Sequence, residues 1–261
     1  MLRTPLATHT PRRERPGVCV EGNKGEEEVM NVMKVKEEER EEEVREGRGA
    51  QFTERDAAAI RWLAEVRAAN LAQLRVLLGQ LGQAGDITPR RCAQIVVRWE
   101  RLGLVEKTTI WHQEPAIVWL TSRGAQMAGL NRLRRPAIGT LHHTLAVTQV
   151  RLQACRPSNG RGWLSERELR GLLSKESHIP DGGLVEADGS VTAIEMELTP
   201  HGRQRVRGAM TSLLAERVEG GDRFSKLLYL VAPACRRQVE MVRVELPQPL
   251  RERVAVLPWG P

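Results

Sequence analysis

No run of apolar residues in this chain is long enough to cross a membrane, which excludes a spanning segment. The first residues hold arginines but no apolar h-region, so no secretory signal is read there. The four cysteines, Cys19, Cys92, Cys155 and Cys235, lie far apart, and no pair has zinc-ligand spacing. Reduced thiols in a cytoplasmic protein are expected. Lysine is nearly missing beyond residue 50, where 27 of the 30 basic residues are arginine.

The charge is unevenly spread. Residues 1–50 hold 10 basic and 12 acidic residues, whereas the remaining 211 hold 30 basic and 21 acidic. The part expected to fold is therefore the basic part, and a polyanion is the partner class that suits it, with nucleic acid first. An arginine-rich composition inherited from a GC-rich genome gives the same imbalance.

Composition divides the chain into three parts. Residues 1–50 form an acidic leader; its run Lys36-Glu37-Glu38-Glu39-Arg40-Glu41-Glu42-Glu43 cannot bury a core. A solvated helix, disorder, or sequence read from an upstream start codon is expected there. Residues 51–135 read as three helices and a hairpin. Thr53 and Asp56 form a capping box, Asn70 caps a second helix, and Thr88-Pro89 opens a third. That third helix places Cys92, Ile95, Val96 and Trp99 on one side and Arg90, Arg91, Gln94, Arg98 and Arg101 on the other. Two β-prone runs follow, at residues 104–111 and 116–121. This order is the outline of a winged helix-turn-helix. Arg90, Arg91 and Gln94 become candidate base readers of double-stranded DNA; Arg98, Arg101 and Lys107 are assigned to phosphates. A solvated helix face is the plain alternative.

Residues 136–261 read as a small α/β layer with a mixed sheet, giving an α+β chain overall. His142 and His143 start a helix; adjacent histidines do not share a face, so packing or capping is expected of each. Trp163 to Leu169 reads as the opening of another helix, with Ser165 and Glu168 spaced as a capping box. A further helix is expected from Thr199-Pro200 to about Val218, then a central strand over 226–232.

The most pointed segment is Pro180-Asp181-Gly182-Gly183 followed by Ala193-Ile194-Glu195-Met196-Glu197. A strand reverses face with each residue, so Glu195 and Glu197 point the same way. Carboxylates so placed repel unless a metal, a proton or a basic partner offsets them. Whether Asp181 joins them depends on register. A two-residue Asp188-Gly189 loop sets Asp181 opposite Met196, pointing away; a three-residue loop or a bulge sets it opposite Glu195.

Together these residues resemble the replication-relaxation family of plasmids and integrated mobile elements. The likeness covers the winged-helix half, His142-x-x-x-Ala146-Val147, Trp163-x-x-Glu166-Arg167-Glu168-Leu169, Pro180-Asp181-Gly182, Glu195-Met196-Glu197-Leu198-Thr199 and Leu228-Tyr229-Leu230-Val231. It implies a DNA-binding accessory protein of replication, relaxation or transfer, with replication or conjugation proteins as partners; a homodimer is compatible with it. The second half also resembles the restriction-endonuclease-like fold, with its Pro-Asp and Asp/Glu-x-Lys signature. That resemblance implies a catalytic set of Asp181, Glu195 and Glu197, with magnesium held by Asp181, Glu195 and Glu168. The chain departs from the signature at its lysine, where Glu197 stands. A magnesium-dependent endonuclease or nickase and a winged-helix transcription regulator are the alternative functions.

Overall fold

The computed structural model describes residues 52–82, 86–131, 135–155, 160–218 and 221–260. The acidic leader lies outside them. Phe52–Pro261 form one compact α+β unit. Among the described residues no helix is long and apolar enough to cross a membrane.

Three capped helices open the unit. In α1 (Glu54–Val66) Thr53 and Asp56 close a reciprocal capping box, and in α2 (Leu71–Leu81) Asn70 and Gln73 do the same. Thr88 caps α3 (Pro89–Arg101), whose first position is the proline. Their apolar faces meet around Leu63, Leu74, Ile95 and the buried Trp99. The strands β1 (Ala69–Asn70), β2 (Val105–Thr108) and β3 (Ile117–Leu120) pair antiparallel in the order β1-β3-β2. β1 is an element that its two residues give too little pattern to announce. The short α4 (Ser122–Met127) comes close enough to the chain before β2 that a Cβ at Gly124 would lie 2.0 Å from the Leu104 carbonyl oxygen.

One helix joins this layer to the next. After a 3-10 turn at Ile138–Thr140, α5 (Leu141–Ala154) turns Ala146 and Val150 onto the following sheet. Its other side meets the first helices through polar contacts: the Gln73 amide donates to Leu145 O at 2.7 Å, and the Thr148 hydroxyl to Ala68 O at 3.0 Å. Buried amides and hydroxyls with partners fix orientation more sharply than apolar contact alone.

The second layer is a five-stranded mixed sheet in the order β10-β9-β6-β5-β4. β4 (Gly162–Ser165), β5 (Gly182–Val185) and β6 (Val191–Glu197) pair antiparallel; β9 (Lys226–Val231) and β10 (Val254–Pro258) continue parallel. The interior strand β9, between β10 and β6, is covered on both faces, as its apolar run requires. α6 (Glu166–Leu172), α7 (Arg203–Ala215) and α8 (Pro233–Val244) carry the apolar cover of one face, with α9 (Gln248–Arg251) before β10.

Two expectations are corrected here. Trp163 lies in a strand, and the helix begins only at Glu166, because Ser165 caps it and the preceding residues pair with β5. The helix expected from Thr199-Pro200 starts at Arg203 instead and stops at Ala215; residues 217–222 contain the two-residue strands β7 (Arg217–Val218) and β8 (Gly221–Asp222). The segment before α7 is held otherwise: the His201 carbonyl accepts from the Gln238 amide, and the His201 ring turns to Glu197.

Candidate functional site

Two surfaces bring together the residues singled out from sequence. The first is the outer side of α3. Its buried side, Cys92, Ile95, Val96 and Trp99, leaves Arg90, Arg91, Gln94 and Arg101 exposed. No acidic side chain among the described residues pairs with those three arginines.

Arg98 and Lys107, assigned to phosphates, are different: each is engaged by a carboxylate of the protein. Arg98 Nη2 stands 2.6 Å from both carboxylate oxygens of Asp56, a fully buried group in the first turn of α1. Trp99 Nε1 donates to the same carboxylate at 3.1 Å. Burial pushes the Asp56 carboxyl up, but the Thr53 hydrogen bonds and the Arg98 charge outweigh it and hold the group below its usual range. Arg98 is thus a core cation. Lys107 Nζ lies 2.7 Å from Glu100, so its charge is largely offset. The hairpin is also less free than expected: Trp111 stacks on His142 at 3.7 Å, fastening the turn between β2 and β3 to the start of α5.

The second surface is the acidic strand. Glu186 N–H donates to Ser190 O at 2.8 Å, so three residues, Ala187 to Gly189, make the loop, with Gly189 at φ +83°. Gly182 therefore pairs with Ile194, and Asp181, one residue earlier, comes level with Glu195. Asp181 Oδ2 accepts from the Met196 N–H at 2.8 Å, which pins the carboxylate across the end of the ladder.

Each of the three carboxylates faces an imidazole. His143 Nε2 is 3.2 Å from Asp181, His178 Nε2 is 2.9 Å from Glu195, and His201 Nε2 is 3.6 Å from Glu197. Half of the six histidines in the chain are used this way. Sequence reading missed them as partners and gave His143 only packing or capping. Their numbers were the available signal: His178 precedes Pro180-Asp181 by two residues, and His201 follows Glu197 by four.

The electrostatics follow from burial. Glu195 is 5% exposed; burial drives its carboxyl up, the His178 hydrogen bond draws it back, and the Asp181 charge adds to the rise, leaving it at about 7. Glu197 is also raised, first by burial. His143 and His178 are raised by their hydrogen bonds to Asp181 and Glu195. Imidazoles, rather than a lysine, stand against the carboxylates on this face. Tyr229 sits beside Glu195 in the parallel pairing and is fully buried, and its hydroxyl has no hydrogen-bond partner among the described residues. Burial and the three carboxylates hold that phenol strongly in its neutral form.

The magnesium set implied by the resemblance is incomplete. Glu168 Oε2 accepts from Ser165 N–H at 2.8 Å and from its hydroxyl at 2.6 Å, so this acid closes a capping box. Asp181 and Glu195 come close together, but each already holds an imidazole, whereas magnesium demands a near-octahedral shell of oxygens. Among the described residues no group of three or more His, Cys, Asp and Glu is disposed to hold a metal ion. With Glu168 committed to its cap and an imidazole on each of the other two, the acids do not present the all-oxygen shell that the resemblance implies.

In comparisons with protein-family models, with curated proteins and with solved structures, nothing matches this chain.

Proposed function

We propose that this protein binds double-stranded DNA through α3, as an accessory factor of plasmid or mobile-element replication, relaxation or transfer. The observation that carries the reading is the set of Arg90, Arg91, Gln94 and Arg101, exposed on a helix whose opposite side is core. Exposed guanidinium groups on one helix face suit phosphates and guanine edges. The order α1-β1-α2-α3-β2-β3 with its antiparallel sheet favours a winged helix-turn-helix reading of residues 52–121. With Trp111 fastened to α5, residues 112–115 at the tip of the wing stay exposed. The mixed sheet with Asp181 level with Glu195 favours a nuclease-like layer, in which Glu197 stands where the signature has a lysine and His201 faces it.

The test is anisotropy of a labelled duplex titrated with the full chain at stepped salt. A steep salt dependence is expected, and Arg90→Ala/Arg91→Ala weakens binding at least about tenfold and flattens the slope by roughly one unit per lost phosphate contact. Unchanged affinity in the double variant overturns the reading. Nicking of supercoiled plasmid on addition of magnesium, lost in Asp181→Ala, would replace it with the endonuclease alternative.

A further inference from the structure

A cavity of about 250 Å³ opens where the end of α1, the start of α5 and the β4–α6 junction meet. It does not involve α3. Its walls include Arg67, His143, Thr144, Trp163 and Arg167, and Asp181 lies among them. It is thus the solvent route to one member of the acidic cluster.

The cavity is built from residues held in place by identifiable contacts. Trp163 is seated against the backbone of Gly182, where a Cβ would come within 2.1 Å of the indole. Arg167 Nη2 donates to Ala64 O at 2.5 Å, fixing the guanidinium over the end of α1. Arg67 ends α1 with φ +70°, one of only two non-glycine residues in the described chain at positive φ. Glycine is the unstrained choice at such a helix end. Here the position carries a half-exposed guanidinium that reaches Glu166 at 3.1 Å and lines the cavity. The acids nearby are already engaged: Glu65 with Arg151, Glu166 with Arg67 and Arg170, and Asp181 with His143.

We propose that this cavity binds a single unpaired nucleotide of a DNA strand, its base against Trp163 and its phosphodiester against Arg67 and Arg167. An indole is a stacking surface for any base, and guanidinium groups suit phosphate oxygens. His143 stands on Asp181 and keeps that carboxylate from facing the phosphate alone. The space lies just under the ~300–1,000 Å³ of ordinary ligand pockets, so it admits one nucleotide and no duplex. An extruded or single-stranded nucleotide is the form that reaches such a site.

The inference rests on the DNA-binding reading but uses a surface separate from α3, so the two can fail separately. The experiment titrates the full chain with a labelled oligothymidylate and, in parallel, with a labelled duplex. Arg67→Gly removes the guanidinium and relieves the backbone. It is expected to bind the single strand at least tenfold more weakly, with duplex affinity unchanged and a melting temperature equal to or above the parent's. Trp163→Phe, which keeps a ring, is expected to retain most of the single-strand affinity, whereas Trp163→Leu loses it. Single-strand binding unaffected by Arg67→Gly, or abolished only by Arg90→Ala/Arg91→Ala, overturns the nucleotide site and leaves the duplex reading standing. A chain that binds neither form overturns both.

Discussion

His178 Nε2 stands 2.9 Å from Oε1 of Glu195, a carboxyl that is 5% exposed and lies in the middle of a sheet. Burial raises Glu195 to about 7, and the hydrogen bond to Glu195 raises His178. Glu197 and His143 are raised as well. A group whose folded value lies above its unfolded value gives stability that is complete below the unfolded value and is lost as pH rises through the folded one. All four groups act in that direction. The melting temperature is therefore expected to fall from pH 5 to pH 8, measured by circular dichroism at constant ionic strength. Glu195→Gln flattens the fall and raises stability at pH 8 by about 1 kcal/mol or more, since an amide needs no proton to be buried. A melting temperature that climbs over this range would contradict the assignment.

Arg98 and its neighbours on α3 separate an arginine paired with a buried carboxylate from exposed ones. Arg98→Ala strands the buried Asp56 carboxylate, and removing one partner of a buried pair costs about 3 kcal/mol. Asp56 keeps its Thr53 and Trp99 bonds, so the low end of the usual range is expected. Arg90→Ala/Arg91→Ala touches only exposed groups and shifts stability by less than about 0.5 kcal/mol per site. Urea denaturation distinguishes them: a large loss for Arg98→Ala, almost none for the double variant. Equal losses would mean that Arg90 and Arg91 also hold the fold.

The caps of the first three helices were legible because each is local: Thr53 with Asp56, Asn70 before Leu71, Thr88 with Pro89. The exposed and buried sides of α3 were legible for the same reason. The destination of Arg98 was not. Helical spacing assigns it to the outer side, but Asp56 is 42 residues away, and only the packing of α1 on α3 brings the two together. The partner histidines lie 38, 17 and 4 residues from their acids, on a helix and in two connecting segments, so no single periodicity links them. Asp181 stood at the limit of what sequence decides. Both registers were open, and the three-residue loop at Ala187 to Gly189 chose the one that sets it level with Glu195.

Gly182 is required by its neighbour and not by its backbone angles. A methyl group there would meet the Trp163 ring at 2.1 Å, inside any tolerable contact. Gly182→Ala must push the indole aside, and overpacking of this kind costs about 1–3 kcal/mol. Because Trp163 also walls the cavity beside Asp181, the variant is expected to lose single-strand affinity along with stability. Combining it with Trp163→Leu, which makes room, should restore the stability but not the affinity. Thermal melting and anisotropy on the same samples read both.

Glu168 gives the sharpest contrast between a metal ligand and a helix cap. Its Oε2 accepts from both the Ser165 amide and the Ser165 hydroxyl, and Ser165 is buried at the start of α6. A cap contributes about 0.5–2 kcal/mol. Glu168→Ala is therefore expected to lower stability by about 1 kcal/mol, and Glu168→Gln, which still accepts through its amide oxygen, to recover most of that. A metal ligand behaves otherwise: replacing the charge with an amide should weaken binding of a divalent cation almost as much as alanine does. Calorimetric titration of both variants with manganese, beside urea denaturation, settles the role. Stability restored by glutamine, with no change in cation binding, is the expected result; cation affinity lost equally in both variants would return Glu168 to the metal set.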